Sequence, residues 1–116
     1  MKLPNLDNAD VSEEKITEYL LSSTHRDGRH KAAFFTSFGF RPEDWQALAK
    51  ALQDHARQHD VTKEEPSPFG VRYVVEGPIL APDRRSPNVR VVWFIDTGHN
   101  KPRFVTAYPL RGAGHD

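Results

Sequence analysis

The chain contains no cysteine, which excludes disulfide bonds, thiolate catalysis and cysteine-ligated zinc sites together. It also has no excess of either charge, because 16 Lys and Arg residues balance 16 Asp and Glu residues. No overall field therefore marks the chain as a nucleic-acid binder, and any anion site must be a local patch. Apolar runs of membrane-spanning length and a signal-peptide core are lacking too. We therefore expect a cytoplasmic protein with no membrane partner.

The length sets the domain organisation. A chain of 116 residues fits one domain with one modest core. We expect that domain over residues 1–110, followed by a disordered tail over residues 111–116, whose sequence is RGAGHD.

Helical patterns occupy the first half of the chain. Asp10 and Glu13 have the spacing of a capping box, which predicts the start of a short first helix. The run that follows places its larger side chains at helical intervals: Ile16, Tyr19 and Leu20. GRHKAAFFTSFGF predicts a second helix that ends before Gly39. A third helix is predicted from Pro42 to His59 by an apolar stripe: Trp45, Leu48, Ala49, Leu52 and Ala56.

Strand patterns occupy the second half. The β-branched and aromatic residues of VRYVVEG, VRVVWFID and RFVTAYP predict three strands, the last two forming an antiparallel hairpin. VRVVWFID is apolar on both faces, which favours a central place in the sheet. From Val61 the chain resembles a loop, because Pro66, Pro68 and Gly70 interrupt it. The predicted fold is α+β, with about three N-terminal helices packed on one face of a C-terminal antiparallel sheet.

The densest group of polar side chains lies in STHRDGRHK, at the entrance to the second helix. Basic residues surround Gly28 there: His25, Arg26, Arg29, His30 and Lys31. Imidazole transfers protons near neutral pH, and Lys, Arg and helix N–H groups stabilise phosphate. These are the components of a metal-independent ribonuclease site, while a solvated basic loop remains the alternative.

A second group lies in PDRRSPNVRVVWF. Arg84, Arg85 and Arg90 could hold phosphate through bidentate hydrogen bonds. Trp93 or Tyr108 could stack on a base. Equally, Arg90 could only cover a sheet edge, and Trp93 could belong to the core.

Thr106 and Tyr108 share one face of the last strand, because side chains alternate along a strand. The hairpin register decides their neighbours. One register brings Trp93 to this face, and a slip by one residue brings Arg90 opposite Tyr108. Threonine and tyrosine are also common in strands, so ordinary packing remains an alternative role for Thr106 and Tyr108.

His55 and His59 have the i, i+4 spacing of a helical metal site. No acidic partner stands at an obvious position, so we assign neither a metal nor a cofactor.

Almost the whole chain resembles a bacterial domain family of unknown function, through KLPNLDNADVSEEKITEYLL, TEYLLSSTHRDGRHKAAFFTSFGF, VRYVVEGPILAPD and NVRVVWFIDTGHNKPRFVTAYPL. The same pattern resembles C-terminal modules of polymorphic and contact-dependent secreted toxins. That resemblance implies a metal-independent ribonuclease of the barnase-EndoU-colicin-RelE group. Three motifs carry it, and the matching residues are, in order, His25, Gly28 and Lys31; Arg85, Arg90 and Trp93; and Arg103, Thr106 and Tyr108. The toxin pattern has glycine at the position of Arg84 and threonine at that of Val91. If that threonine is catalytic, this chain binds RNA without cutting it.

We therefore hypothesise a toxin-like RNA endonuclease, alone or as half of a toxin–antitoxin pair, that uses the 2′-OH as nucleophile. Its expected catalytic set is His25, Lys31, Arg90, Thr106 and Tyr108, and its substrate-binding set is Arg85, Trp93 and Arg103. The expected partners are RNA, as tRNA or mRNA, and a cognate antitoxin or immunity protein. The alternative is a non-catalytic protein-binding module of the same fold, an immunity or regulatory subunit, which the neutral net charge favours.

Overall fold

The computed structural model describes residues 1–22, 24–26 and 29–110. Helix α1 spans Glu13–Lys15 and continues as a π-helical turn over Ile16–Leu20. Helix α2 spans Arg29–Ser37, and α3 spans Trp45–Gln58 after a 3-10 turn at Pro42–Asp44. A further 3-10 turn, Leu6–Asn8, precedes α1. The three predicted helices are therefore confirmed.

The second half of the chain forms a four-stranded antiparallel sheet with the strand order β1-β2-β3-β4. Its strands are β1 Val61–Ser67, β2 Gly70–Pro78, β3 Asn88–Asp96 and β4 Arg103–Pro109. The sheet packs against the helices on one face, which confirms the α+β prediction. β3 lies between two neighbours, as its two apolar faces indicated.

The hydrophobic core lies between the helices and one face of the sheet. The helices contribute the larger share of its fully buried side chains: Ile16, Leu20, Phe35, Leu48 and Leu52. From the sheet come alternate residues of β2 and β3: Tyr73, Val75, Val89, Val91 and Trp93. The opposite face of the sheet carries the intervening side chains, many of them charged.

The segment that starts at Val61 is a strand, although the sequence was interpreted there as a loop. β1 is an edge strand, and Pro66 is tolerated in it because an edge strand can lack one N–H donor. Its charged side chains, Lys63 and Glu64 among them, are exposed and oppose pairing with another chain.

The cap of α1 also differs from the prediction. Ser12 is the N-cap, and its Oγ accepts a hydrogen bond from the backbone N–H of Lys15 at 3.2 Å. The predicted capping box of Asp10 and Glu13 is therefore wrong. Asp10 instead donates its backbone N–H to the carbonyl of Pro102 at 2.8 Å, which ties the segment before α1 to β4.

None of the helices in the described part of the chain has the length and apolar character of a membrane span. The tail predicted for residues 111–116 lies outside the described residues.

Candidate functional site

Tyr19 is the centre of a polar cluster at β4, the edge strand on this side of the sheet. It lies in the π-helical turn of α1, a geometry that recurs at functional sites. The turn is defined by the N–H of Leu21, which donates to the carbonyl of Ile16 at 2.7 Å. Tyr19 Oη lies 3.0 Å from Thr106 Oγ1, although 87 positions separate the two residues.

Lys31, in the first turn of α2, extends this contact into a chain of three polar groups. Its Nζ donates a hydrogen bond to Tyr19 Oη at 2.6 Å. The same Nζ lies 5.0 Å from the ring centroid of Tyr19 and 6.0 Å from that of Tyr108. The chain from Lys31 through Tyr19 to Thr106 therefore connects α1 and α2 to β4.

The Tyr19 phenol is electrostatically activated. Burial acts to raise its pKa, but the hydrogen bonds of Lys31 and Thr106, with the charges of Lys31 and Lys15, outweigh burial and lower the pKa from its ordinary 10.0. The ammonium group of Lys15 lies 5.0 Å from the ring centroid. As a phenol, Tyr19 can donate to Thr106, and as a phenolate it can accept from both Thr106 and Lys31. A tyrosine in this setting is a competent proton donor.

His25 brings an imidazole to the same phenol. Its ring and that of Tyr19 are 5.0 Å apart between centroids and meet edge to face at 85°. The backbone N–H of His25 donates to Ser22 Oγ at 3.1 Å, which ties His25 to the segment that follows the π-helical turn. Gly28, matched to the same motif, lies outside the described residues.

The hairpin register places Arg90 opposite Tyr108, and Val92 opposite Thr106. Arg90 Nη1 lies 3.4 Å from Tyr108 Oη, and its Cζ lies 5.6 Å from the ring centroid. On its other side, Arg90 pairs in register with Glu76 of β2, and its Nε donates to Glu76 Oε2 at 2.5 Å. Glu76, Arg90 and Tyr108 thus form one row across three strands.

Tyr108 borders two open cavities. One, of about 490 Å³, is lined by His30, Lys31, Tyr108, Pro109 and Leu110. The other, of about 290 Å³, is lined by Thr62, Lys63, Arg72, Val74, Glu76, Arg90 and Tyr108. Both cavities therefore carry cationic side chains beside the aromatic ring of Tyr108.

The residues predicted to bind substrate make their described contacts elsewhere. Trp93 is 0% exposed in the core, so no face of its ring is open to a base, and the stacking role predicted for it is wrong. Arg85 pairs with Asp83 at 2.6 Å on the loop after β2. Arg103 pairs with Asp96 at 2.8 Å towards the turn of the β3–β4 hairpin.

Two positions depart from the toxin pattern, and the structure gives each a physical meaning. Arg84 has φ 73°, the left-handed region in which glycine is favoured, so the glycine of the pattern suits this backbone. Val91 is fully buried on the helix-facing side of β3. A threonine at Val91 would face the core, away from the side of the sheet that carries Arg90.

Sequence reasoning grouped His25, Lys31, Arg90, Thr106 and Tyr108, and the structure places them around Tyr19 and along its neighbouring row. It missed Tyr19 and Glu76. Tyr19 was assigned to the apolar stripe of α1, and its one local signal was Lys15 at i−4. Only knowledge of the contact with β4 could have identified it.

His55 of α3 and His59, the C-cap of that helix, serve its packing against β2. Nε2 of His55 lies 3.1 Å from the carbonyl oxygen of Gly77, and Nε2 of His59 lies 2.9 Å from that of Pro78. Among the described residues, no group of three or more His, Asp or Glu side chains has the arrangement of a metal site.

A known protein structure has a similar architecture. A matching solved structure is a chain of a contact-dependent growth inhibition toxin–immunity protein complex from Klebsiella pneumoniae 342, with a TM-score of 0.72. The match covers 92% of this chain and 97% of that chain at 16% identity, so it concerns the fold alone. No curated protein matches. Residues 2–111 match the family described as Domain of unknown function (DUF6883), and the chain therefore belongs to the DUF6883 family.

Proposed function

We propose that this protein is a metal-independent RNA endonuclease of the toxin type. The observation that carries the proposal is the hydrogen-bonded chain from Lys31 Nζ through Tyr19 Oη to Thr106 Oγ1, with the His25 ring against the same phenol. An imidazole, an ammonium group and a phenol of lowered pKa therefore lie together, and the ammonium group, that of Lys31, also lines the cavity at Tyr108. Cleavage of RNA through its 2′-OH needs a general base, a general acid and a cation that stabilises the phosphorane, and these three groups can supply them.

Each side chain of the site has one role in the proposed reaction. His25 takes the proton of the 2′-OH, whose oxygen attacks phosphorus and forms a 2′,3′-cyclic phosphate. The bond from phosphorus to the 5′-oxygen breaks, and Tyr19 gives its proton to that leaving oxygen. Lys31 stabilises the resulting phenolate and, with Arg90, the negative charge of the phosphorane.

Thr106 and Tyr108 complete the site by positioning. Thr106 orients the Tyr19 hydroxyl through their hydrogen bond, 3.0 Å long. The Tyr108 ring lies between Lys31, 6.0 Å from its centroid, and Arg90, 5.6 Å from it. A phosphate beside this ring lies near both cations, and a base can stack on the ring itself.

The partners follow from the same reasoning. RNA, as tRNA or mRNA, is the proposed substrate, because the proposed chemistry uses a 2′-OH nucleophile. The similar solved structure is a toxin–immunity protein complex. That likeness supports a cognate antitoxin or immunity protein as the second partner of this chain.

The test is cleavage of purified tRNA and mRNA in excess EDTA. We expect wild type to leave 2′,3′-cyclic phosphate ends. His25→Ala should cleave about 10²- to 10⁴-fold more slowly, which is the usual contribution of a general acid or base. Tyr108→Phe should weaken cleavage less, since the ring remains. His99→Ala removes an exposed histidine of the hairpin turn and serves as the matched control, with the wild-type rate expected. Equal loss in both histidine variants would contradict the assignment of His25.

A non-catalytic protein-binding module, as an immunity or regulatory subunit, is the second candidate. It is favoured by the ion pairs that engage the arginines predicted for catalysis or substrate binding: Arg85 with Asp83, Arg90 with Glu76, and Arg103 with Asp96. The net charge of zero gives no long-range attraction for RNA either. A folded wild type that cleaves none of these RNAs would favour this candidate.

A further inference from the structure

Glu76 holds Arg90 from the side opposite Tyr108. The carboxylate accepts from Arg90 Nε at 2.5 Å, and both side chains line the cavity of about 290 Å³. They are partly open to solvent, with 36% of the Arg90 side chain and 27% of the Glu76 side chain exposed. The pair can therefore be reached by a ligand in that cavity.

We propose that Glu76 occupies the place of a substrate phosphate on Arg90, so that RNA binds by displacing this carboxylate. The inference rests on the proposed function. A guanidinium group presents the same planar set of N–H donors to a carboxylate and to a phosphate. The Glu76 carboxylate and a substrate phosphate compete for the Arg90 guanidinium group, because two anions held close together repel each other.

The structure makes this exchange feasible. Ion pairs as exposed as this one add little to stability, so breaking the contact with Glu76 costs little. Arg90 also remains supported by Tyr108, since Cζ lies 5.6 Å from the ring centroid and Nη1 lies 3.4 Å from Oη. The guanidinium can thus stay in place while its anion changes.

The consequence is selectivity among anions. A free phosphate ion in this cavity meets Arg90 with Glu76 opposing it, and the other two cations of the lining, Lys63 and Arg72, both pair with Glu65. An RNA strand gains further contacts beyond Tyr108, where Lys31 lies 6.0 Å from the same ring centroid. Glu76 therefore lowers the affinity for small anions and leaves Arg90 to ligands that engage both cavities.

The experiment compares Glu76→Gln with Asp54→Asn, using a 2′-O-methyl RNA oligonucleotide that cannot be cleaved. Gln keeps an oxygen that can accept from Arg90 but removes the charge. Asp54→Asn changes the net charge equally, on α3, where Asp54 pairs with Lys50 at 2.8 Å. Fluorescence anisotropy at several salt concentrations gives the Kd and its salt dependence.

We expect Glu76→Gln to bind about fivefold more tightly at low salt, the effect of removing a like charge about 4 Å away in water. The slope of log Kd against log salt should steepen by about 0.7, because one more cation faces the RNA. Asp54→Asn should stay within about twofold of wild type. In an Arg90→Gln background, Glu76→Gln should give a markedly smaller gain.

Equal behaviour of Glu76→Gln and Asp54→Asn would overturn the inference while leaving the proposed function intact. Unchanged affinity with lost cleavage of ordinary RNA would overturn it too, because the carboxylate would then act in the chemistry. A folded wild type that neither binds nor cleaves RNA defeats the proposed function itself, and this inference with it.

Discussion

His55 makes the stability of this protein depend on pH. The residue lies on α3 at 1% exposure, with Nε2 3.1 Å from the Gly77 carbonyl. Nδ1 has no hydrogen-bond partner among the described residues. Burial lowers the pKa of His55 from 6.5 to about 4; the bond to Gly77 opposes this and the charge of His59 adds to it. His55 is therefore neutral in the folded protein at pH 7.

The sign follows from where the proton binds. In the unfolded chain the imidazole takes up a proton below about pH 6.5, whereas the folded protein resists protonation until about pH 4. Acid therefore favours the unfolded state throughout that window. The contribution of His55 to the free energy of unfolding should fall by about 2 kcal/mol between pH 7 and pH 5, and by about 3 kcal/mol in all below the folded pKa.

The assay is urea unfolding of wild type and His55→Gln at pH 7 and pH 5. Glutamine does not titrate, and its amide can still donate to the Gly77 carbonyl. His55→Gln should be less stable than wild type at pH 7. Its free energy of unfolding should, however, fall by about 2 kcal/mol less than that of wild type between pH 7 and pH 5. His59→Gln is the control, because it replaces the neighbouring, partly exposed histidine and leaves His55 in place. An equal fall from pH 7 to pH 5 in wild type and His55→Gln would refute the reasoning.

Three further substitutions test the local structure by urea unfolding. Ser12→Ala should lower the free energy of unfolding by about 1 kcal/mol, because it removes the N-cap of α1. A loss of stability in Asp10→Ala but not in Ser12→Ala would instead support the capping box predicted from the sequence. Arg84→Gly should be neutral or stabilising by up to about 1 kcal/mol, since φ is 73° there; a loss of more than about 1 kcal/mol would contradict the strain argument. Trp93→Ala should cost about 3–5 kcal/mol, as for a fully buried aromatic residue; reduced RNA binding with intact stability would instead indicate a surface role.

The architecture was predictable because local patterns carried it. The apolar stripe of α3 and the two apolar faces of β3 are periodic signals, and each led to the element that forms. Val61–Ser67 was missed because its proline and charges resemble a loop, and only pairing with β2 makes it a strand. Charges and proline are the features that protect an edge strand against pairing with other chains, so its composition differs from that of a central strand.

The site was predictable in part, for a related reason. His25 and Lys31 are close in sequence, and Thr106 and Tyr108 share a strand face, so local rules grouped each pair. The contact that joins the pairs runs through Tyr19, across 87 positions to Thr106. The hairpin register was left open by the sequence, and it decided that Arg90 faces Tyr108 while Trp93 enters the core.

The most direct test of the central claim is RNA cleavage by Tyr19→Phe in excess EDTA. The substitution removes only the hydroxyl that links Lys31 to Thr106, and Tyr73→Phe provides a matched loss of a hydroxyl from a residue of the core. Tyr19→Phe should cleave at least about 10²-fold more slowly than wild type, while Tyr73→Phe should keep the wild-type rate. Cleavage by Tyr19→Phe at the wild-type rate would contradict the claim that this phenol is the proton donor of an RNA-cleaving site.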